Sequence, residues 1–206
     1  MNDVKLTVII PVYNQETLVI KAIDSIPNHN FIEVIVIDDG SSDNTWDNLC
    51  KYKDLHSDRN ILLFQNDANM GVSYTVNKGY DNAHGEYVVL LGSDDYFITT
   101  QFEKALKYLD GTDLIYFNLR TNNGSIIKLS PKTKVGYCGS TKFMKREFIG
   151  DTRCPCDKKA GEDWFFYQEL LKKNPTEKFT DLTIKHYNYP RKDSLSDLVK
   201  QGKIRL

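Results

Sequence analysis

Hydrophobic positions along the chain follow two patterns in alternation: short β-branched and aliphatic runs, and longer stretches whose apolar residues fall three and four apart. The runs are Leu6–Val12, Val34–Ile37, Ile61–Phe64, Tyr87–Gly92 and Asp113–Phe117. Near-continuous apolar runs of this length predict strands covered on both faces, as in a parallel sheet. Between them, Val19, Ala22, Ile23 and Ile26 keep helical spacing until Pro27. Trp46, Leu49 and Cys50 mark a second helix, Val72, Val76, Gly79 and Ala83 a third, and Phe102, Ala105, Leu106 and Leu109 a fourth. Pro11 has no N–H for a central ladder, so the first strand is expected to end close to it. Alternating strands and helices build right-handed βαβ units. The predicted class is α/β, Rossmann-like, with a central, mostly parallel (mixed) sheet flanked by helices. Beyond residue 120 the pattern weakens. Ser125–Leu129 predicts an added strand, Thr141–Phe148 a short helix, and Asp163–Lys172 a longer one.

Two of the strands run into paired acids. Tyr87–Gly92 is followed by Ser93-Asp94-Asp95, and Val34–Ile37 by Asp38-Asp39-Gly40-Ser41-Ser42-Asp43. Ligands of open α/β sheets gather at the carboxyl ends of strands. Adjacent carboxylates repel, which suits a site where a divalent cation or a hydrogen-bonding ligand balances them; taken alone, the pair reads more readily as a polar turn. In the last helix, Asp163 shares a stripe with Phe166, Tyr167, Leu170 and Leu171 and so faces inward, while Glu162 sits further round. A carboxylate in a first helical turn is stabilised by the macrodipole and stays ionised, as a general base must.

Composition narrows the function classes. A chain of 206 residues is long enough to bury roughly 70% of its unfolded surface and predicts one domain, 1–206. With 27 Lys and Arg against 28 Asp and Glu, interspersed, charge argues against a nucleic-acid partner. No apolar segment approaches the roughly 20 residues of a membrane span, and the first residues lead directly into a strand, so a cytoplasmic protein without a transmembrane segment is expected. Cys154-Pro155-Cys156 lacks the two-residue gap and second pair of a zinc site. Reduced thiols are expected there, with a redox or metal role as the alternative.

Five segments, in order, resemble the inverting nucleotide-sugar glycosyltransferases of family 2, which have the glycosyltransferase-A fold. They are Val8-Ile9-Ile10-Pro11-Val12-Tyr13-Asn14; Ile37 through Asp43; Asn69-Met70-Gly71 with Asn77; Gly85-Glu86-Tyr87 through Asp94-Asp95; and Gly161-Glu162-Asp163-Trp164. The resemblance implies a nucleotide-sugar-binding half, about 1–117, and an acceptor-side half, about 118–206, with a closing C-terminal segment. It implies Pro11, Tyr13, Asp39, Asn69, Ser93, Asp94 and Arg191 as nucleotide-sugar-binding residues. Within that set Tyr13 stands against the base and Asp39 accepts a hydrogen bond from the pyrimidine, a preference for UDP. Asp94 contacts ribose or metal, and Asp95 is the implied ligand of a Mn²⁺ or Mg²⁺ cofactor. Gly92 stands where the family often has a further acid. Asp163, the second acid of its pair, is the implied catalytic base, and Arg191 in the closing segment His186–Arg191 with Ser194–Ser196 is implied to contact phosphate.

The function expected from this resemblance is metal-dependent, inverting transfer of a sugar from a nucleoside diphosphate sugar to a saccharide or lipid-linked acceptor hydroxyl, in surface polysaccharide or glycolipid assembly. Peripheral association with a membrane is compatible with it. The alternative is a non-catalytic nucleotide-binding or scaffolding module of the same fold. A sugar nucleotidyltransferase would need a basic, Gly-rich loop after the first strand, where Pro11-Val12-Tyr13-Asn14 stands.

Overall fold

The first β-branched run is the middle of the sheet. In this computed structural model, which describes residues 3–133, 141–157, 161–189 and 201, β1 (Leu6–Val12) lies between parallel β2 (Ile32–Asp38) and β4 (Tyr87–Leu90), with β3 (Ile61–Gln65) outside β2. All of β2 and all of β1 but Pro11 are buried, because helices cover both faces. Val8, Ile10, Val34 and Val36 pack on one side with residues of α1 (Leu18–Asp24), α2 (Thr45–Leu55) and α4 (Thr99–Ala105). Ile9, Ile35 and Ile37 pack on the other with α3 (Val72–Asp81) and α6 (Glu162–Lys172). On that second face Gly79 brings α3 onto β1, since a Cβ there would stand 2.4 Å from the Ile9 side chain. Pro11 is tolerated in a central strand because pairing with β4 stops at Ile9 and Leu90, leaving no carbonyl opposite the missing N–H.

The second half completes the same sheet in mixed directions. The strand order is β3-β2-β1-β4-β8-β6-β9-β5, where β5 is Tyr96–Phe97, β6 Leu114–Thr121, β8 Lys142–Lys145 and β9 Glu177–Tyr187; β7 (Ile126–Ile127) pairs with β6. Thr141–Phe148, expected as a helix, is instead β8 followed by α5 (Arg146–Ile149). β8 runs antiparallel to both β4 and β6 and fills the space between them. Its neighbours Phe143 and Met144 are both buried, one in each core, so the segment shows no alternation that would have announced a strand. The expected strand at Ser125–Leu129 shrinks to the two residues of β7. β9 has no counterpart in the sequence-based expectations. It runs parallel to β6, with register irregularities around Asn118, and its far end holds β5 through the antiparallel pairs Tyr96–His186 and Phe97–Lys185. By this route a residue 90 positions downstream returns to the paired acids after β4. Among the described residues, no helix is long and apolar enough to cross a membrane.

Candidate functional site

The carboxyl ends of β1, β2 and β4 lie together because the three strands are parallel, and their following loops are tied to one another. Asn14, at positive φ, accepts from the Ser42 N–H at 2.8 Å, and its own N–H donates to Ser41 Oγ at 2.9 Å. Gly40 (φ +70°) presses the second loop against the third: a Cβ there would meet the Ala68 carbonyl carbon at 2.5 Å. Asp38 accepts from the Ser41 hydroxyl and from Gln65 Nε2, which closes the turn beneath. Asp39 is buried and receives three donors, Asn66 Nδ2, Met70 N–H and Gly71 N–H, each at 2.9 Å. Two of these sit on Oδ1 and one on Oδ2. Since a carboxylate offers about four acceptor sites, one direction on Oδ2 remains. These loops enclose a cavity of about 350 Å³ lined by Pro11, Val12, Tyr13, Asp39, Asn69, Gly71, Val72 and Thr75. Tyr13, 43% exposed, lines the same cavity as the Asp39 carboxylate.

The acids after β4 have different surroundings. Ser93 is buried and Asp94 is half-buried. Asp95 is 4% exposed, and both of its oxygens are engaged: Lys185 Nζ lies 2.6 Å from Oδ2, and the Asn188 N–H donates to Oδ1 at 2.8 Å. Both acids pack closely over Gly92, where a Cβ would stand only 3.1 Å from Asp94 Oδ1 and 3.0 Å from Asp95 Oδ2. A divalent cation that takes one protein carboxylate, with phosphate oxygens and waters completing its shell, would draw on these acids. Asp95, the ligand that the resemblance implies, holds an ammonium and a backbone N–H here.

Across the end of β4 stands Asp163, in the first turn of α6. Phe166, Tyr167 and Leu170 of its stripe are buried in the sheet's second core. Asp163 Oδ1 accepts from the Trp164 N–H at 2.8 Å. The carboxylate lines a small cavity with Tyr80, Leu90, Lys142, Met144, Cys154, Phe166 and Tyr167. Burial pushes the Glu162 carboxyl above its ordinary value, and the charge of Asp163 adds to the effect. The Cys154 thiol is pushed up to about 12 by burial and by the charges of Glu162 and Asp163, so it stays protonated near neutral pH. Asn77 grips that cysteine's backbone in both directions, at 2.9 Å to its carbonyl and 2.8 Å from its N–H. Cys-Pro-Cys is thereby a backbone latch beside Asp163.

Arg191 and Ser194–Ser196 lie outside the described residues. Two lysines absent from the sequence-based candidates line the same region: Lys185, and Lys142, which is 1% exposed with its Nζ 4.6 Å from the Tyr167 ring centre. Below them Tyr167 and Tyr116 join hydroxyls at 2.5 Å, and Tyr116 donates to Glu177 at 2.6 Å. A lysine inside a β-branched run, Thr183-Ile184-Lys185, was the available signal for the first. Lys142 had none beyond its place beside Phe143.

Known proteins resemble this chain in sequence and fold. A glycosyltransferase of Haemophilus influenzae is 30% identical over 188 residues, 84% of this chain and 74% of its own length. An Escherichia coli enzyme, UDP-Glc:alpha-D-GlcNAc-diphosphoundecaprenol beta-1,3-glucosyltransferase WfaP, is 25% identical over 88% of this chain and 76% of its own. A Rickettsia felis glycosyltransferase is 37% identical over 120 residues, and the match spans only 19% of that longer protein. Staphylococcus aureus TarS 1–349 in complex with UDP-GlcNAc superposes with a TM-score of 0.80 at 22% identity, covering 93% of this chain and 60% of TarS. The Pyrobaculum calidifontis mannosyltransferase PcManGT, in complex with GDP-Man and Mn²⁺, gives 0.76 at 19% identity, covering 97% of this chain and 61% of that one. These likenesses make the fold that of the glycosyltransferase-A enzymes. The profile of Glycosyl transferase family 2 matches residues 7–171, from β1 through nearly the whole of the helix that carries Asp163, and the chain belongs to that family.

Proposed function

We propose that this chain is an inverting glycosyltransferase that moves a sugar from a UDP-sugar to a hydroxyl of a saccharide or lipid-linked acceptor in the cytoplasm, with Mn²⁺ or Mg²⁺ as cofactor. The observation that carries the reading is the juxtaposition, at one sheet edge, of a cavity built on Tyr13 and Asp39 with the acids after β4 and with Asp163. Tyr13 stacks on the base, and the remaining direction on Asp39 Oδ2 accepts the uracil N–H, which cytosine lacks at that ring position. Pro11, Asn69 and Ser93 shape the nucleotide site, and Arg191 contacts phosphate. A divalent cation held at the acids after β4, with Asp95 as its ligand and Asp94 beside it, supplies counter-charge to the leaving diphosphate when bound. Asp163 accepts the proton of the acceptor hydroxyl as its oxygen bonds to the anomeric carbon from the side opposite the diphosphate. The bond from that carbon to the phosphate oxygen breaks in the same displacement, its electron pair leaves with UDP, and the configuration inverts. No protein nucleophile is required. The E. coli and S. aureus relatives, named for UDP-Glc and crystallised with UDP-GlcNAc, support the nucleotide preference, and the P. calidifontis complex supports the metal.

Thermal melting with UDP, CDP, ADP and GDP, each with Mn²⁺ and with chelator, tests the reading. A ligand at 100 times its Kd stabilises the native state by about 2.7 kcal/mol. UDP with Mn²⁺ is expected to raise the melting temperature most; equal shifts for all four nucleotides, indifferent to chelator, would overturn both the base and the metal assignments.

A further inference from the structure

We propose that Tyr80 is a positioning residue for Asp163: its hydroxyl, through one bridging water in the small cavity they share, holds the carboxylate in the direction that proton removal needs. The inference rests on the reading of Asp163 as the base and deepens it, to what aims that base. Tyr80 belongs to α3 and follows Asn77 by three positions, on the same helical face. From that face Asn77 holds the Cys154 backbone, at 2.9 Å to its carbonyl and 2.8 Å from its N–H. Tyr80 lays its ring on Phe166, with centroids 5.2 Å apart and planes 20° from parallel. Phe166 follows Asp163 by three residues in α6, so the stack brings α3 against the turn that carries the carboxylate. Tyr80 is 5% exposed, and among the described residues no partner lies within hydrogen-bonding reach of its buried hydroxyl. Tyr80 and Asp163 both line the cavity of about 10 Å³.

A buried hydroxyl left without a partner is destabilising, and native proteins satisfy such groups with protein atoms or ordered water. One water needs roughly 10–15 Å³ and two to four polar partners. The cavity has that room, and the polar side chains around it are Tyr80 from α3, Lys142 from β8, Cys154 from the loop after α5, and Asp163 and Tyr167 from α6. Burial pushes the Tyr80 phenol well above its ordinary pKa; Cys154 and the Asp163 charge push the same way, and Arg153 opposes them. The phenol therefore keeps its proton and stays a donor. Tyr80 donates to the water, and the water donates to Asp163. The Trp164 N–H already holds Oδ1 at 2.8 Å. A single anchor leaves the plane of a carboxylate able to turn, whereas a second fixes it. A base aimed before the acceptor arrives needs no reorganisation at the moment of reaction.

The test is a double-mutant cycle on four full-length proteins: wild type, Tyr80→Phe, Asp163→Asn and the double variant. Each is assayed for hydrolysis of radiolabelled UDP-glucose and UDP-N-acetylglucosamine in Mn²⁺, for calorimetric UDP binding and for its melting curve. Tyr80→Phe keeps the ring and its stack on Phe166 and removes the hydroxyl alone. It is expected to lower kcat by about tenfold while UDP affinity stays within about twofold, a loss of orientation and not of donor binding. In the Asp163→Asn background the same change is expected to cost less than about twofold, because its effect runs through the carboxylate. A hydroxyl that merely packs predicts otherwise: Tyr80→Phe would melt at or above the wild-type temperature with kcat unchanged, or would cost the same in both backgrounds. Either result overturns the proposal. Independently of turnover, a crystal structure of the wild type is expected to show a water bonded to the Tyr80 hydroxyl and to an Asp163 oxygen. A dry cavity overturns the proposal even if a variant does not fold or hydrolysis is too slow to follow. Failure of the wild type to bind UDP and to hydrolyse either donor, with that water in place, would instead remove the nucleotide-sugar reading and, with it, the duty assigned to the bridge.

Discussion

The cavity at Tyr13 and the pocket at Asp163 share one edge of the sheet and are built by opposite means. The first, about 350 Å³, is bounded by loops that a single buried carboxylate, Asp39, holds apart through two backbone N–H groups and an amide. The second, about 10 Å³, is closed by the packed side chains of Lys142, Met144, Phe166 and Tyr167. A cavity needs roughly 10–15 Å³ to admit one water molecule. The Asp163 pocket thus has space for about one water and none for a sugar ring. On the proposed reading, one region is a preformed mould for the nucleotide, which lowers the ordering cost of binding. The other is then a rigid mount that fixes the Asp163 carboxylate while the reacting hydroxyl stays outside. Substitutions in the two regions should accordingly fail in different measurements.

The largest expected effect is in the mount. Asp163→Asn keeps the shape and the bond to the Trp164 N–H but removes the basic lone pair, and loss of a general base costs about 10²- to 10⁴-fold in rate. Transfer, or donor hydrolysis in its place, should fall by that factor while UDP affinity holds. Near-normal turnover would show that the base is elsewhere.

Next comes the mould's own support. Asp39→Asn replaces one acceptor oxygen by an NH₂, which faces either the Gly71 N–H at the Oδ2 position or the Met70 N–H and Asn66 Nδ2 at the Oδ1 position, and each buried donor left without an acceptor costs about 1–3 kcal/mol. Urea denaturation should report a clear loss of stability, and UDP binding should weaken with it. A variant with full stability but no UDP binding would mean that Asp39 touches the base and holds nothing. Tyr13→Ala, by contrast, removes only an exposed aromatic face. UDP affinity should drop by about 1–3 kcal/mol with the melting temperature nearly unchanged.

The smallest effect separates the two acids at the start of α6. Burial and the charge of Asp163 raise the Glu162 pKa in the folded protein, so between the unfolded and folded values the native state holds the extra proton. Wild-type stability therefore declines as pH rises through that window. Glu162→Gln should melt slightly higher than wild type near neutral pH, with the difference gone below the ordinary glutamate value of about 4.3. An unchanged difference across pH would place Glu162 in solvent.

Much of the first half of the sheet was legible because its patterns are local. β-branched runs gave β1 to β4, helical spacing gave α1 to α4, and Gly40 with the Asp-Asp pairs announced the turns within a few residues of where they act. Asp163 was legible for the same reason, since its inward direction follows from three- and four-residue spacing to Phe166 and Tyr167. The contact between Asp95 and Lys185 was not legible. It depends on a register between β5 and β9 that brings Lys185 across 90 positions, and no local pattern encodes such a pairing. β8 escaped for a related reason: buried on both faces and flanked by lysines, it is short enough that periodicity cannot separate strand from helix.

β9 also sets the order in which the protein can be finished. β5 pairs with β9, and β6 reaches its full set of neighbours only when β9 lies beside it. The βαβ units before residue 92 contain their own partners and can condense as the chain is made, whereas Asp95 meets its counter-charge only after residue 185 has been synthesised. Long-range pairings form late because the loop must close before the contact rewards it. During synthesis the acid loop is therefore the last part of the nucleotide edge to be secured, and an interrupted chain that stops short of β9 would present the right motif, on an otherwise ordered sheet, with its charges unbalanced.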